Sequence, residues 1–135
     1  MAITNPLPVP VVPVIWSDLD PAITADSNGN LELDINVAAV IGSIQNIIQT
    51  NPGERMFLPQ FALGMRNLLF EPANTNLLTK YADNIKKSVE AWDPRVIVAG
   101  VDFNTDPDNN AVSLTVRFNI SGYTQTFSTT SPVVT

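Results

Sequence analysis

Residues 50–72 read TNPGERMFLPQFALGMRNLLFEP, and residues 92–95 read WDPR. The first stretch opens on a Pro52-Gly53 turn followed by the adjacent charges Glu54 and Arg55. Arg55 to Leu58 has the make-up of a brief strand. Pro59 suits the first turn of a helix, where its missing amide proton and fixed φ cost nothing. Phe61, Met65, Leu68 and Leu69 would share the buried face of that helix, which ends at Glu71-Pro72. In the second stretch Pro94 stops a helix and leaves Arg95 where a strand begins. Neither stretch has the composition of a catalytic centre.

Upstream, Val37, Val40, Ile41, Ile44, Ile47 and Ile48 trace one helical stripe, with Asp34 as its expected N-cap and Asn51-Pro52-Gly53 as its stop. Leu31-Glu32-Leu33 alternates as a short strand after the turn signal Asp26 to Asn30, in which Asn28-Gly29 supplies positive φ. Trp16 to Pro21 reads as extended chain. Residues 1–15 carry prolines at 6, 8, 10 and 13, which favours an extended arm over a helix. Its valines and isoleucines leave two readings open, a disordered tail or an arm laid on a neighbour.

Downstream of residue 72, Leu78, Tyr81, Ile85, Val89 and Trp92 form a further helical stripe, capped by Asn74 or Thr75. After Pro94 the period changes to two. Ile97, Ala99, Val101 and Phe103 are expected on one face of a strand, with Val96 and Val98 on the other. Val112, Leu114, Val116, Phe118 and Ile120 alternate with polar residues, and Ser121-Gly122 turns the chain into a last strand from Tyr123. The order predicts an α+β fold: three helices packed on a C-terminal antiparallel β-meander of about three strands, with an extended N-terminal arm. The expected organisation is an arm over 1–15 and a single domain over 16–135.

Composition excludes whole classes of chemistry. With no cysteine and no histidine, disulfides, thiol nucleophiles, Ser-His triads and the usual zinc sites are absent. Seven basic residues against thirteen acidic ones give a net charge of −6, without the cationic patch that nucleic acid requires. No apolar run approaches the ~20 residues of a membrane span, and the N-terminus lacks the basic flank of a secretory signal. No cofactor, nucleic-acid or membrane partner is expected.

In order and spacing, Ser17 to Asp20, the 34–48 helix, Thr50, Gly53-Glu54-Arg55, Phe57, Pro59, Phe61, Gly64, Arg66, Leu68 to Pro72 and Asp93-Pro94-Arg95 resemble the gp25-like family of baseplate proteins. The resemblance spans about Trp16 to Ile120. Asp93 stands where that family usually has glutamate, and Ala62 where it often has glycine. The resemblance implies a structural, non-enzymatic component of a contractile phage tail, located in the virion baseplate after assembly in the host cytoplasm. It further implies a sheath initiator in sixfold arrangement, with the tail sheath protein and baseplate wedge proteins as partners and the tail tube or its initiator as a further one. Asp93, Pro94 and Arg95 would make the wedge contact. Val112, Leu114, Val116, Tyr123, Gln125 and Phe127 would form the sheet that exchanges strands with the first sheath subunits.

Each residue has a plainer reading beside this one. Arg95 could simply pair with Asp93 or Glu90, and the last strand could be covered by the chain itself. Glu54, Arg55, Arg66 and Glu71 read as internal ion pairs. A stand-alone peptide-binding adaptor would use the same sheet edge. Glycoside hydrolysis needs two carboxyl groups, one with a raised pKa; Glu54 and Glu71 are the candidates, and Arg55 beside Glu54 would lower its pKa.

Overall fold

The computed structural model describes residues 13–61, 63, 65, 75–106, 108–109 and 111–133. The chain divides into two compact units, Met1–Ala39 and Val40–Thr135.

In the first unit, β1 (Ser17–Leu19) pairs antiparallel with β2 (Leu33–Ile35), so that Asp18 faces Asp34 and Leu19 faces Leu33. Asp26 organises the connecting turn by accepting the amides of Asn28 and Asn30 at 2.8 and 2.9 Å, and Gly29 takes the expected positive φ of 81°. The strand expected at 31–33 therefore lies two residues later, and Asp34 sits inside it instead of capping a helix. Asn36 makes the strand-to-helix transition at φ 51°, a conformation asparagine tolerates well. Its buried amide accepts from the Ile15 and Trp16 amides and donates to the Pro13 carbonyl.

Helix α1 (Val37–Gln49) follows the expected stripe: Val40, Ile44, Ile47 and Ile48 are buried, and Val37 and Ile41 half-buried. In the second unit, α2 (Thr75–Trp92) buries Ile85 and Val89 completely. Trp92 ends it, edge-on to Phe61 with ring centroids 5.0 Å apart. Two helices, not three, are present among the described residues. Residues 55–60, expected as a strand and a helix start, form successive turns, with the Leu58 amide donating to the Arg55 carbonyl and the Phe61 amide to that of Leu58. The Pro59 carbonyl accepts from Gly53 across the turn at 3.2 Å, so it does not start a helical ladder. Residues 62, 64 and 66–70 of the expected middle helix lie outside the described residues.

The C-terminal meander is as expected: β3 (Val96–Asp106), β4 (Ala111–Ile120) and β5 (Thr126–Val133) form an antiparallel sheet in the order β3-β4-β5. Its apolar face differs in one respect. Val96 and Val98 oppose Ile120 and Phe118, whereas Val101 and Phe103 oppose Val116 and Leu114. A bulge between Val98 and Gly100 inserts one residue and switches the parity. Val96, Val98, Val101 and Phe103 thus share the face expected to be split between them, while Ile97 is 62% exposed. Leu114, Val116 and Phe118 are wholly buried at the centre. Helix α1 is tied to β5 by bonds from Gln45 to the Thr129 hydroxyl and from Gln49 to that of Ser131, at 3.0 and 3.2 Å.

Candidate protein–protein interface

Asp93 and Arg95 are held together by the way α2 ends. The Asp93 amide still donates to the Val89 carbonyl, completing the last turn, and Pro94 then prevents continuation. The Asp93 carboxylate accepts from Arg95 Nε at 2.7 Å, from an Arg95 terminal nitrogen at 2.6 Å and from the Arg95 amide at 3.2 Å. Burial raises the Asp93 pKa. Hydrogen bonds from the Arg95 and Ser43 side chains, the guanidinium charge and the Arg95 amide outweigh it and hold the carboxyl below its ordinary value. Asp93 is 2% exposed and the Arg95 side chain 30%. Surface contact therefore falls to Pro94 and the outer part of Arg95, with Asp93 as the residue that sets their position. Glu90, the other expected partner of Arg95, instead accepts the Val98 amide at 3.0 Å.

That last bond also orients the whole sheet. An amide donating to Glu90 on α2 points away from β4, so the Val98–Phe118 pair exchanges no ladder bonds. Phe118 then directs its main chain to β5, and Phe127, opposite Phe118, points back to β4. By alternation Thr126, Ser128, Thr130 and Pro132 turn their main-chain groups outward. Among the described residues β3 and β5 are the outer strands of this sheet, and they are guarded unequally. The β3 edge has the Glu90 cap, the bulge, and Asp102 and Asp106, all devices that discourage strand addition. The β5 edge carries no charge over Thr126–Val133 and is closed at its end by Pro132, which has no amide proton.

The candidate sheet residues fall into two groups. Val112, Leu114 and Val116 lie on β4, the central strand, whose two edges are already paired, so they shape the core side and leave no backbone free for an incoming strand. Phe127 lies on β5, and Tyr123 packs edge-on against it at 5.8 Å. Tyr123 and Gln125 precede the strand in the turn. Glu90 and Ser43 were not legible as parts of this arrangement; a helix-borne carboxylate eight residues before its backbone partner leaves no sequence signature.

Of the two carboxylates considered for hydrolysis, Glu54 lies among the described residues and Glu71 does not. Glu54 accepts the amide and the side-chain nitrogen of Asn51, both at 2.8 Å, and does not form the expected ion pair with Arg55, which lies over the Phe61 ring at 3.9 Å. Arg66 and Glu71 lie outside the described residues.

Residues 35–126, from the end of β2 into the first residue of β5, match the family described as baseplate wedge protein gp25. This chain belongs to that family. A curated relative, baseplate wedge protein gp25 of Enterobacteria phage T4, is 26% identical over 106 residues, covering 78% of this chain and 80% of its own. Among solved structures, a chain of the six-fold symmetrised anti-feeding prophage baseplate superimposes with TM-score 0.62 at 19% identity, over 87% of this chain and 83% of that one. A candidate tail lysozyme from Geobacter sulfurreducens gives TM-score 0.60 at 22% identity, over 69% and 85%. At these identities both support the fold alone. No helix among the described residues is long and apolar enough to cross a membrane.

Proposed function

We propose that this gp25-family chain is a structural component of a contractile-tail baseplate and initiates its sheath. It anchors to wedge proteins through the Asp93-Pro94-Arg95 corner and offers the β5 edge to a strand of the first sheath subunits. The observation that supports this best is the unequal guarding of the sheet. An edge strand normally carries charge, a bulge or a cover; among the described residues β3 has all three, and β5 has a terminal proline. Tyr123 and Phe127 would flank the incoming strand. The chain works without cofactor or catalysis, in six copies around the tail tube, in the virion baseplate after assembly in the host cytoplasm.

Proline placed on β5 tests the reading. Ser128 faces outward, so Ser128→Pro removes a donor from the edge and none from the β4 ladder. The expected result is a folded chain that enters baseplates on which no sheath polymerises. Normal sheath assembly on the Ser128→Pro baseplate would refute the assignment. Thr129→Pro, facing β4, should instead unfold the sheet.

A further inference from the structure

Met56 and Phe57 are 91% and 94% exposed, the least covered large apolar side chains in the described residues, and Leu58 follows at 45%. Isolated exposed apolar residues are ordinary; a contiguous group at the tip of a fixed turn is not. The turn is closed at its neck by the Gly53 amide donating to the Pro59 carbonyl, with Gly53 at φ 85°. Within it, Glu54 binds Asn51 twice through its carboxylate and once through its amide. Its base is anchored by Arg55 over the ring of Phe61, which is buried against Trp92. The tip is therefore preorganised, and an apolar side chain held in place loses little entropy on docking.

Arg55 decides what docks there. Together with Met56, Phe57 and Leu58 it lines an open hollow of about 400 Å³. Among the described residues no carboxylate pairs with it, although acidic residues outnumber basic ones thirteen to seven. A guanidinium stacked on an aromatic ring keeps its edge donors available for a planar acceptor. We infer that the 55–58 tip is a second docking surface, distinct from the 93–95 corner and the β5 edge. Its occupant is a segment of a neighbouring baseplate protein that places a large apolar side chain in the hollow and an Asp or Glu carboxylate on Arg55. This rests on the reading of the chain as a baseplate component.

Methionine oxidation reads the tip without altering the chain. In the free protein, dilute hydrogen peroxide should convert Met56 to its sulfoxide quickly, while Met65, 3% exposed, serves as the slow internal reference. In assembled baseplates the Met56 rate should fall by about tenfold or more, with Met65 unchanged. Equal Met56 rates in both states would overturn the inference while leaving the baseplate role intact; a chain missing from purified baseplates would overturn both. For the partner chemistry, Arg55→Lys baseplates treated with a carbodiimide should yield an amide link from residue 55 to an Asp or Glu of another protein. A link confined to this chain, or none, would overturn the proposed occupant.

Discussion

Asp93 grips Arg95 through two parallel hydrogen bonds, Nε to Oδ1 at 2.7 Å and a terminal nitrogen to Oδ2 at 2.6 Å. Two residues apart, with Pro94 between them, they form a rigid corner between α2 and β3. The carboxylate is buried and the guanidinium partly exposed, which makes Asp93 a positioning residue and Arg95 the group that meets solvent or a partner. Asp93→Ala should destabilise the chain by about 1–3 kcal/mol. That lies below the usual cost of breaking a fully buried pair, because Arg95 can regain water. Asp93→Glu keeps the charge and should lose less. Urea denaturation of both variants, with Arg95→Ala and the Asp93→Ala/Arg95→Ala double variant closing the cycle, measures the coupling.

The same pair sets a pH dependence. The Asp93 carboxyl is held below its ordinary 3.8 in the folded chain, so the folded state binds its proton less readily than the unfolded state. Its contribution to stability is complete above the unfolded pKa and is lost as pH falls through the lowered folded value. Asp20, Asp26 and Asp106 are lowered as well, chiefly by hydrogen bonds to neighbouring amides and side chains. Stability should stay level from pH 7 to about 5 as far as these groups are concerned, and decline below about 4. Asp93→Asn should flatten part of that decline in acid denaturation curves.

Gly100 is opposite Arg117 in the β3–β4 ladder, and Arg117 crosses over it to reach Asp102 at 2.9 Å. A Cβ at position 100 would lie 2.6 Å from a terminal nitrogen of Arg117. That obstacle is the far end of a flexible, exposed side chain, so Gly100→Ala should cost less than about 1 kcal/mol, the scale of a surface ion pair. Arg117→Ala should cost a similar amount. Combining the two should add little to either alone, and thermal unfolding of the three variants tests this.

Glu90 closes the start of the β3 edge by accepting the Val98 amide. Glu90→Ala leaves that amide without its partner, at an expected cost of about 1–2 kcal/mol. Hydrogen exchange should show Val98 losing protection while Val116, at the sheet centre, keeps it. An unchanged Val98 amide would mean that the edge is guarded by something other than Glu90.

What the sequence disclosed follows from periodicity. The stripe from Val40 to Ile48, the Ile85–Val89 face and the alternation from Val112 to Ile120 each repeat strongly enough to outweigh local preference, and their residues are buried except Ile41 and Val112, which are half-buried. Breaks in period were less legible. The bulge at Val98–Gly100 moves Val101 and Phe103 to the face of Val96 and Val98, and a pattern read straight through divides one face into two. Asp34 has the chemistry of a helix cap, yet pairing with Asp18 claims it for a strand, and Asn36 makes the transition instead. Glu54 and Arg55 are adjacent opposite charges, yet Glu54 accepts from Asn51 and Arg55 lies over the Phe61 ring. At the candidate interface the corner residues were legible as a motif. The Ser43 bond to Asp93 and the Glu90 cap on the Val98 amide are contacts made across the fold, and no local pattern announces them.

A structure of the intact baseplate with its first sheath ring would decide whether this chain starts the sheath. It should show a sheath strand hydrogen-bonded to the outward main chain of Thr126, Ser128 and Thr130, and a wedge protein against Pro94 and Arg95. A β5 edge facing solvent, with the first sheath ring seated on another baseplate protein, would contradict it.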